Sequence, residues 1–137
     1  MTDRVIVYCD GGARGNPGPA AIGAVVLDPS TSPPTRLATV SERIGSTTNN
    51  VAEYRAVIAG LAAAHPFGAR SVEVRGDSML VIEQLAGRWK VRQPHLRPLH
   101  AEARALLDRF DHVELRHVPR AQNADADALV NAALDLA

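Results

Sequence analysis

The chain has a single cysteine, Cys9, inside the run VIVYCD. One thiol excludes an internal disulfide and a cysteine-built zinc cluster, and its place in an apolar run predicts a buried strand residue. Lysine is equally scarce: Lys90 is the only one, and the other basic residues are arginines. That is compositional bias and carries no functional content. Net charge is absent too, with 15 acidic against 15 basic residues. A polyanionic partner would therefore have to be held by local patches, because no global field attracts it. No stretch approaches membrane-spanning length, and the opening MTDRVIVY lacks the organisation of a secretory signal. No membrane association and a cytoplasmic location are the expectations.

What is present is an ordinary globular composition, 46% hydrophobic and 22% charged, over 137 residues. That length suits one domain, 1–137, with enough chain for a real core. The β-branched run at 4–10 reads as a strand ended by Gly11 and Gly12. Residues 20–28 and 36–44 read as two more strands, separated by the loop DPSTSPPT. Short connections predict an antiparallel meander. A helix follows to Ala64, capped within Thr47–Asn50 and apolar along Val51, Ile58 and Leu61, with Val57 beside them. Residues 71–76 form a fourth strand, and Asp77–Ser78 cap a second helix to about Leu85. The segment GRWKVRQPHLRP reads as irregular and basic. A helix at 99–109, a strand at 112–118 and a helix at 123–136 complete the chain. The order βββαβααβα implies an α/β fold: a mixed five-stranded sheet, three antiparallel strands then two parallel, flanked by helices.

Four carboxylates lie at the ends or starts of these elements: Asp10 in YCDGGARGNPGPA, Glu53 in TTNNVAEYR, Asp77 in VRGDSML and Asp127 in QNADADAL. Each alone has a bland explanation. Asp-Gly-Gly is a turn signal, Glu53 a solvated residue near a helix start, and Asp77 a helix N-cap. Asp125 and Asp127, two apart on a helix, point about 200° apart, so only one can face a common centre. Carboxylates brought together are costly to bury unless a cation lies between them. Their hard oxygen donors suit Mg²⁺ or Mn²⁺ better than zinc.

This set, in this order, resembles type 1 ribonuclease H, a family that cuts the RNA strand of RNA–DNA hybrids. The resemblance runs over roughly residues 4–134, and the basic protrusion of some relatives is missing. It implies the ribonuclease H-like fold and two Mg²⁺ ions held by Asp10, Glu53, Asp77 and Asp127, with Mn²⁺ a possible substitute. Asn123 through Asp127 fits the family pattern with Asp127 as ligand. Asp10 would bridge both ions, Asp127 would complete the water-activating site, and Glu53 and Asp77 would serve the departing 3′ oxygen. Products would carry a 5′-phosphate and a 3′-hydroxyl. His117, ten residues before Asp127, is the implied proton-handling residue, against the alternative of an incidental strand-end histidine.

For the hybrid, the resemblance points to the backbone at Gly11 and Gly12 and to Asn49 and Asn50 for reading the minor groove. Asn16 and Thr48 would hold a phosphate of the DNA strand, and Arg14 would touch the nucleic-acid backbone. Trp89 and Lys90, with Arg88, Arg92 and Arg97, would form a weak, salt-dependent surface for the duplex. Met79 stands where many relatives have glutamine, which removes one hydrogen bond to the groove. A monomer is expected. Two other readings are a hybrid- or duplex-RNA-binding module that has lost catalysis, and a resolvase or transposase core. Loss of a carboxylate would mark the first, and all four are present. The second tends to carry other motifs and extra domains.

Overall fold

The computed structural model describes residues 3–136. The run VIVYCD becomes the middle of a sheet ordered β3-β2-β1-β4-β5: β1 Arg4–Ala13, β2 Gly18–Asp28, β3 Thr35–Thr47, β4 Ser71–Gly76 and β5 His112–His117. β2 pairs antiparallel with β1 and β3, whereas β4 pairs parallel with β1 and β5. A central strand covered on both faces needs apolar residues at consecutive positions, and Val5, Ile6, Val7 and Cys9 are all buried.

Four helices cover the sheet: α1 Asn49–Ala64, α2 Met79–Leu85, α3 Arg97–Leu107 and α4 Ala124–Asp135. The main core joins Val5, Val7, Val26, Val72 and Val74 of the sheet to Tyr54, Leu61, Leu85 and Leu107 of the helices. Burying each such side chain contributes roughly 1.5–3 kcal/mol. α4 covers part of the opposite face, where Val130 and Ala133 meet Ala21. On the same face further along the sheet, Glu73 is buried beneath Arg4 and Arg75, with Arg116 at 3.8 Å.

Several boundaries differ from those read in the sequence. β1 does not end at Asp10 but runs on through Gly11 and Gly12 to Ala13, because β2 continues to pair with it there. β3 extends to Thr47, and the third helix lies at 97–107 instead of 99–109. The buried stripe of α1 is Tyr54, Val57, Leu61 and Ala64, while Val51 and Ile58 are only partly covered. The Ser78 hydroxyl caps α2 by accepting from the Val81 N–H at 3.3 Å, so Asp77 is not the cap and its carboxylate is free for another role.

Candidate active site

The parallel pairing of β1 with β4 stops at Cys9 and Gly76. The next residues are Asp10 and Asp77, so two carboxylates emerge side by side where the strands part. Glu53 reaches them because α1 crosses unusually close to β1. A Cβ on Gly11 would stand 2.2 Å from the Ala52 carbonyl carbon and 2.5 Å from the Glu53 nitrogen, so only glycine permits this approach. The Gly11 N–H donates to Glu53 Oε1. A second glycine does the same on the opposite face. A Cβ on Gly23 would lie 2.4 Å from the Ala126 carbonyl oxygen, so α4 sits directly on β2 and carries Asp127 to the pocket.

Oxygens of Asp10, Glu53 and Asp77 lie within 4.8 Å of one another. Asp127 lines the same pocket, its Oδ2 accepting from Asn131 Nδ2 at 3.4 Å. Asp125 instead pairs with Arg36 at 3.1 Å, on the far side of α4. Asp10 is 7% exposed. Burial first, then the Asp77 and Asp127 carboxyls, push its pKa up to about 7. Burial and the Asp10 charge push Glu53 well above the usual carboxylate range, with the Gly11 N–H opposing them. Asp10, Glu53 and Asp77 have no ion-pair partner among the described residues, and a hard divalent cation among their oxygens supplies the missing positive charge. The donor set therefore fits such an ion.

Around the carboxylates, the pocket wall includes Gly11, Gly12, Arg14, Asn49, Asn50 and His117. His117 ends β5, and its Nε2 lies 3.3 Å from the Asp77 carbonyl oxygen. Asn49 Oδ1 accepts from the Ala13 N–H at 2.9 Å, and Asn16 Oδ1 accepts from the Asn49 N–H at 3.1 Å. These two bonds fasten the β1–β2 turn to the start of α1. The Thr48 hydroxyl caps α1 through the Val51 N–H, at 3.3 Å. Arg14 pairs with Asp135 at 2.6 Å.

Trp89 and Lys90 are not brought into this pocket but border separate depressions beside α2. Trp89 is 45% exposed. Arg120, not singled out in the sequence, also lines the pocket, its guanidinium 3.9 Å from Asp127. Its place in HVPRAQN, between His117 and the last helix, was the available signal.

A mixed sheet in this strand order, with carboxylates gathered where β1 and β4 part, defines a ribonuclease H-like domain. Residues 8–133 match the family described as reverse transcriptase-like. The bifunctional protein Rv2228c of Mycobacterium tuberculosis is 50% identical over 98% of this chain, which spans 36% of that protein. The solved N-terminal RNase H domain of Rv2228c superposes with a TM-score of 0.92, covering 96% of this chain and 99% of that one. Ribonuclease HI of Halobacterium salinarum is 50% identical over 96% of this chain and 65% of its own length, and its crystal structure gives a TM-score of 0.90. LC11-RNase H1, solved in complex with an RNA/DNA hybrid, is 43% identical with a TM-score of 0.87, covering 96% of each chain. The chain belongs to the type 1 ribonuclease H family. It spans about a third of the length of the mycobacterial relatives it matches and about two thirds of the halobacterial one.

Proposed function

We propose that this chain is a single catalytic domain that hydrolyses the RNA strand of RNA–DNA hybrids with two Mg²⁺ ions, leaving 5′-phosphate and 3′-hydroxyl ends. The observation that carries the reading is the gathering of Asp10, Glu53 and Asp77 within 4.8 Å in one open pocket that Asp127 also lines. The hybrid complex of LC11-RNase H1, at 43% identity, supports the substrate class. A cytoplasmic monomer belongs to the same reading. Among the described residues, no helix is long and apolar enough to cross a membrane.

Asp10, Glu53, Asp77 and Asp127 would hold the ions. Bound there, Mg²⁺ supplies positive charge beside the scissile phosphate and lowers the pKa of the attacking water. Asp10, buried and close to Glu53, Asp77 and Asp127, would be the central ligand of the set. The backbone of Gly11 and Gly12 lines the pocket, where it would meet the sugar–phosphate chain. Asn49 keeps its amide N–H donors for a groove edge, since only its oxygen is used internally. His117, its ring nitrogen 3.3 Å from the Asp77 carbonyl oxygen, would serve proton transfer at the pocket rim.

The test is cleavage of a 5′-labelled RNA paired with DNA, in Mg²⁺ or Mn²⁺ and again with EDTA, beside duplex DNA and duplex RNA. Metal-dependent cutting of the RNA in the hybrid alone is the expected result. Retained hybrid binding without cutting in either metal would convert the reading to a binding module.

A further inference from the structure

At the point where β1 leaves β4, the Cys9 carbonyl loses its strand neighbour: pairing stops at Cys9–Gly76 while β1 continues to Ala13. The carbonyl does not go unpaired. Asn123 Nδ2 donates to it at 2.8 Å, from a side chain that is 1% exposed and 114 residues away in sequence. Asn123 is also the residue before the first turn of α4, and Asp127 follows four positions later.

The usual reasons for an asparagine here do not apply. An N-cap uses its side-chain oxygen on an N–H of the first turn, and Asn123 makes no such bond. A packing residue would be apolar, since Asn123 Oδ1 is buried without a hydrogen-bond partner, the only such side-chain atom among the described residues. Only the N–H donor is used, and it joins the residue beside Asp10 to the helix that carries Asp127.

We propose that Asn123 is a positioning residue for the acidic pocket. Its amide replaces the missing strand donor where β1 and β4 part, and so fixes Asp127 against Asp10. The inference rests on the metal-dependent nuclease reading and deepens it. The residue touches neither substrate nor ion and acts through the two carboxylates that it holds in register.

The experiment compares wild type, Asn123→Ala and Asn123→Asp, with Asp10→Asn in parallel. Mg²⁺ binding is measured by calorimetry on the substrate-free protein, and kcat, hybrid KM and the Mg²⁺ midpoint of cleavage by titration. Both Asn123 variants should bind Mg²⁺ about tenfold more weakly and shift the cleavage midpoint upward by a similar factor, as for other outer-sphere partners of a metal site. Excess Mg²⁺ should recover most of kcat, and hybrid KM should stay within about twofold of wild type. A loss of thermal stability alone, with wild-type Mg²⁺ affinity and midpoint in a folded variant, would overturn the assignment. If Asn123→Ala does not fold, Asn123→Asp, of the same shape, carries the test. Failure of both to fold would also overturn it, since the residue would then hold the fold and not the pocket. Wild-type protein that neither bound Mg²⁺ nor cut hybrids would overturn the nuclease reading itself, whatever the Asn123 variants did.

Discussion

The acidic pocket and the basic segment at 87–97 handle charge in opposite ways. In the pocket, Asp10, Glu53 and Asp77 crowd together with no internal cation among them, and burial drives the first two toward protonation. In the basic segment, part of the charge is answered by neighbouring groups. Arg88 is clasped by both Glu83 oxygens at 2.6 and 2.8 Å, and Arg97 donates to the Val91 carbonyl at 3.2 Å. Gln84, held by Tyr54, donates in turn to the Lys90 carbonyl at 3.2 Å. Charge left unanswered marks a place that needs something from outside, whereas charge answered locally is mostly architecture. Within the segment, Lys90 and Arg92 are the cations whose side chains have neither an ion-pair nor a hydrogen-bond partner among the described residues.

The largest effect should come from removing the central unanswered charge. Asp10→Asn should lower hybrid cleavage about a thousand-fold, the scale of losing a key electrostatic group. Hybrid binding should survive, as a gel-shift or anisotropy titration would show. Normal cutting by this variant would dismantle the metal assignment.

The same charge sets a pH dependence in the metal-free protein. An acid whose folded pKa is raised stabilises fully below its unfolded value, and that contribution fades as pH rises through the folded value. With Asp10 raised to about 7 and Glu53 raised as well, EDTA-treated protein should lose stability as pH climbs from the usual carboxylate range past neutrality. A Tm decline of several degrees, roughly 4–8 °C, is expected by calorimetry, with Mg²⁺ restoring it above pH 7. In Asp10→Asn the EDTA profile should flatten, and a slope identical to wild type would point to other groups.

On the basic side the effects should be smaller. Trp89→Ala should weaken hybrid binding by roughly tenfold if its exposed ring stacks on the duplex, with Tm nearly unchanged. Replacing Lys90 and Arg92 together by alanine should weaken binding and flatten the dependence of log affinity on log salt, by about one in slope for each phosphate no longer neutralised. Arg88→Ala, whose charge Glu83 already answers, should leave that slope where it was. An Arg88 effect as large as that of the Lys90 and Arg92 pair would erase the distinction between answered and unanswered charge.

Much of this contrast was legible in the sequence, and the illegible part has a common cause. The strands, the meander and the four carboxylates could be read because each is written in a few adjacent residues: an apolar run, a glycine pair, an acid. The Asp77–Ser78 pair could not be resolved locally, since either side chain can cap a helix, and only the pocket decides that Asp77 turns away. Nor could the end of β1 be read at Asp10, because the continuing strand is imposed by pairing with β2. The segment at 87–97 has the composition of a free basic loop because its restraints come from Glu83, Gln84 and Tyr54, elsewhere in the chain. Arg120 is hidden for a similar reason: its approach to Asp127 depends on how α4 lies on Gly23.

Cys9, next to Asp10 in sequence, gives the seam between β1 and α1 a built-in reporter. The thiol is 3% exposed, and burial followed by the Glu53 and Asp10 charges raises its pKa well beyond the ordinary thiol range. It packs against α1 at Gly60, while its own carbonyl is the one tied to Asn123. A thiolate-seeking reagent can reach it only when β1 and α1 separate. In a chain with no competing cysteine, the labelling rate is therefore a clock for the breathing of the two elements that carry Asp10 and Glu53. Oxidants in solution would leave the same sulfur untouched for as long as that clock stands still.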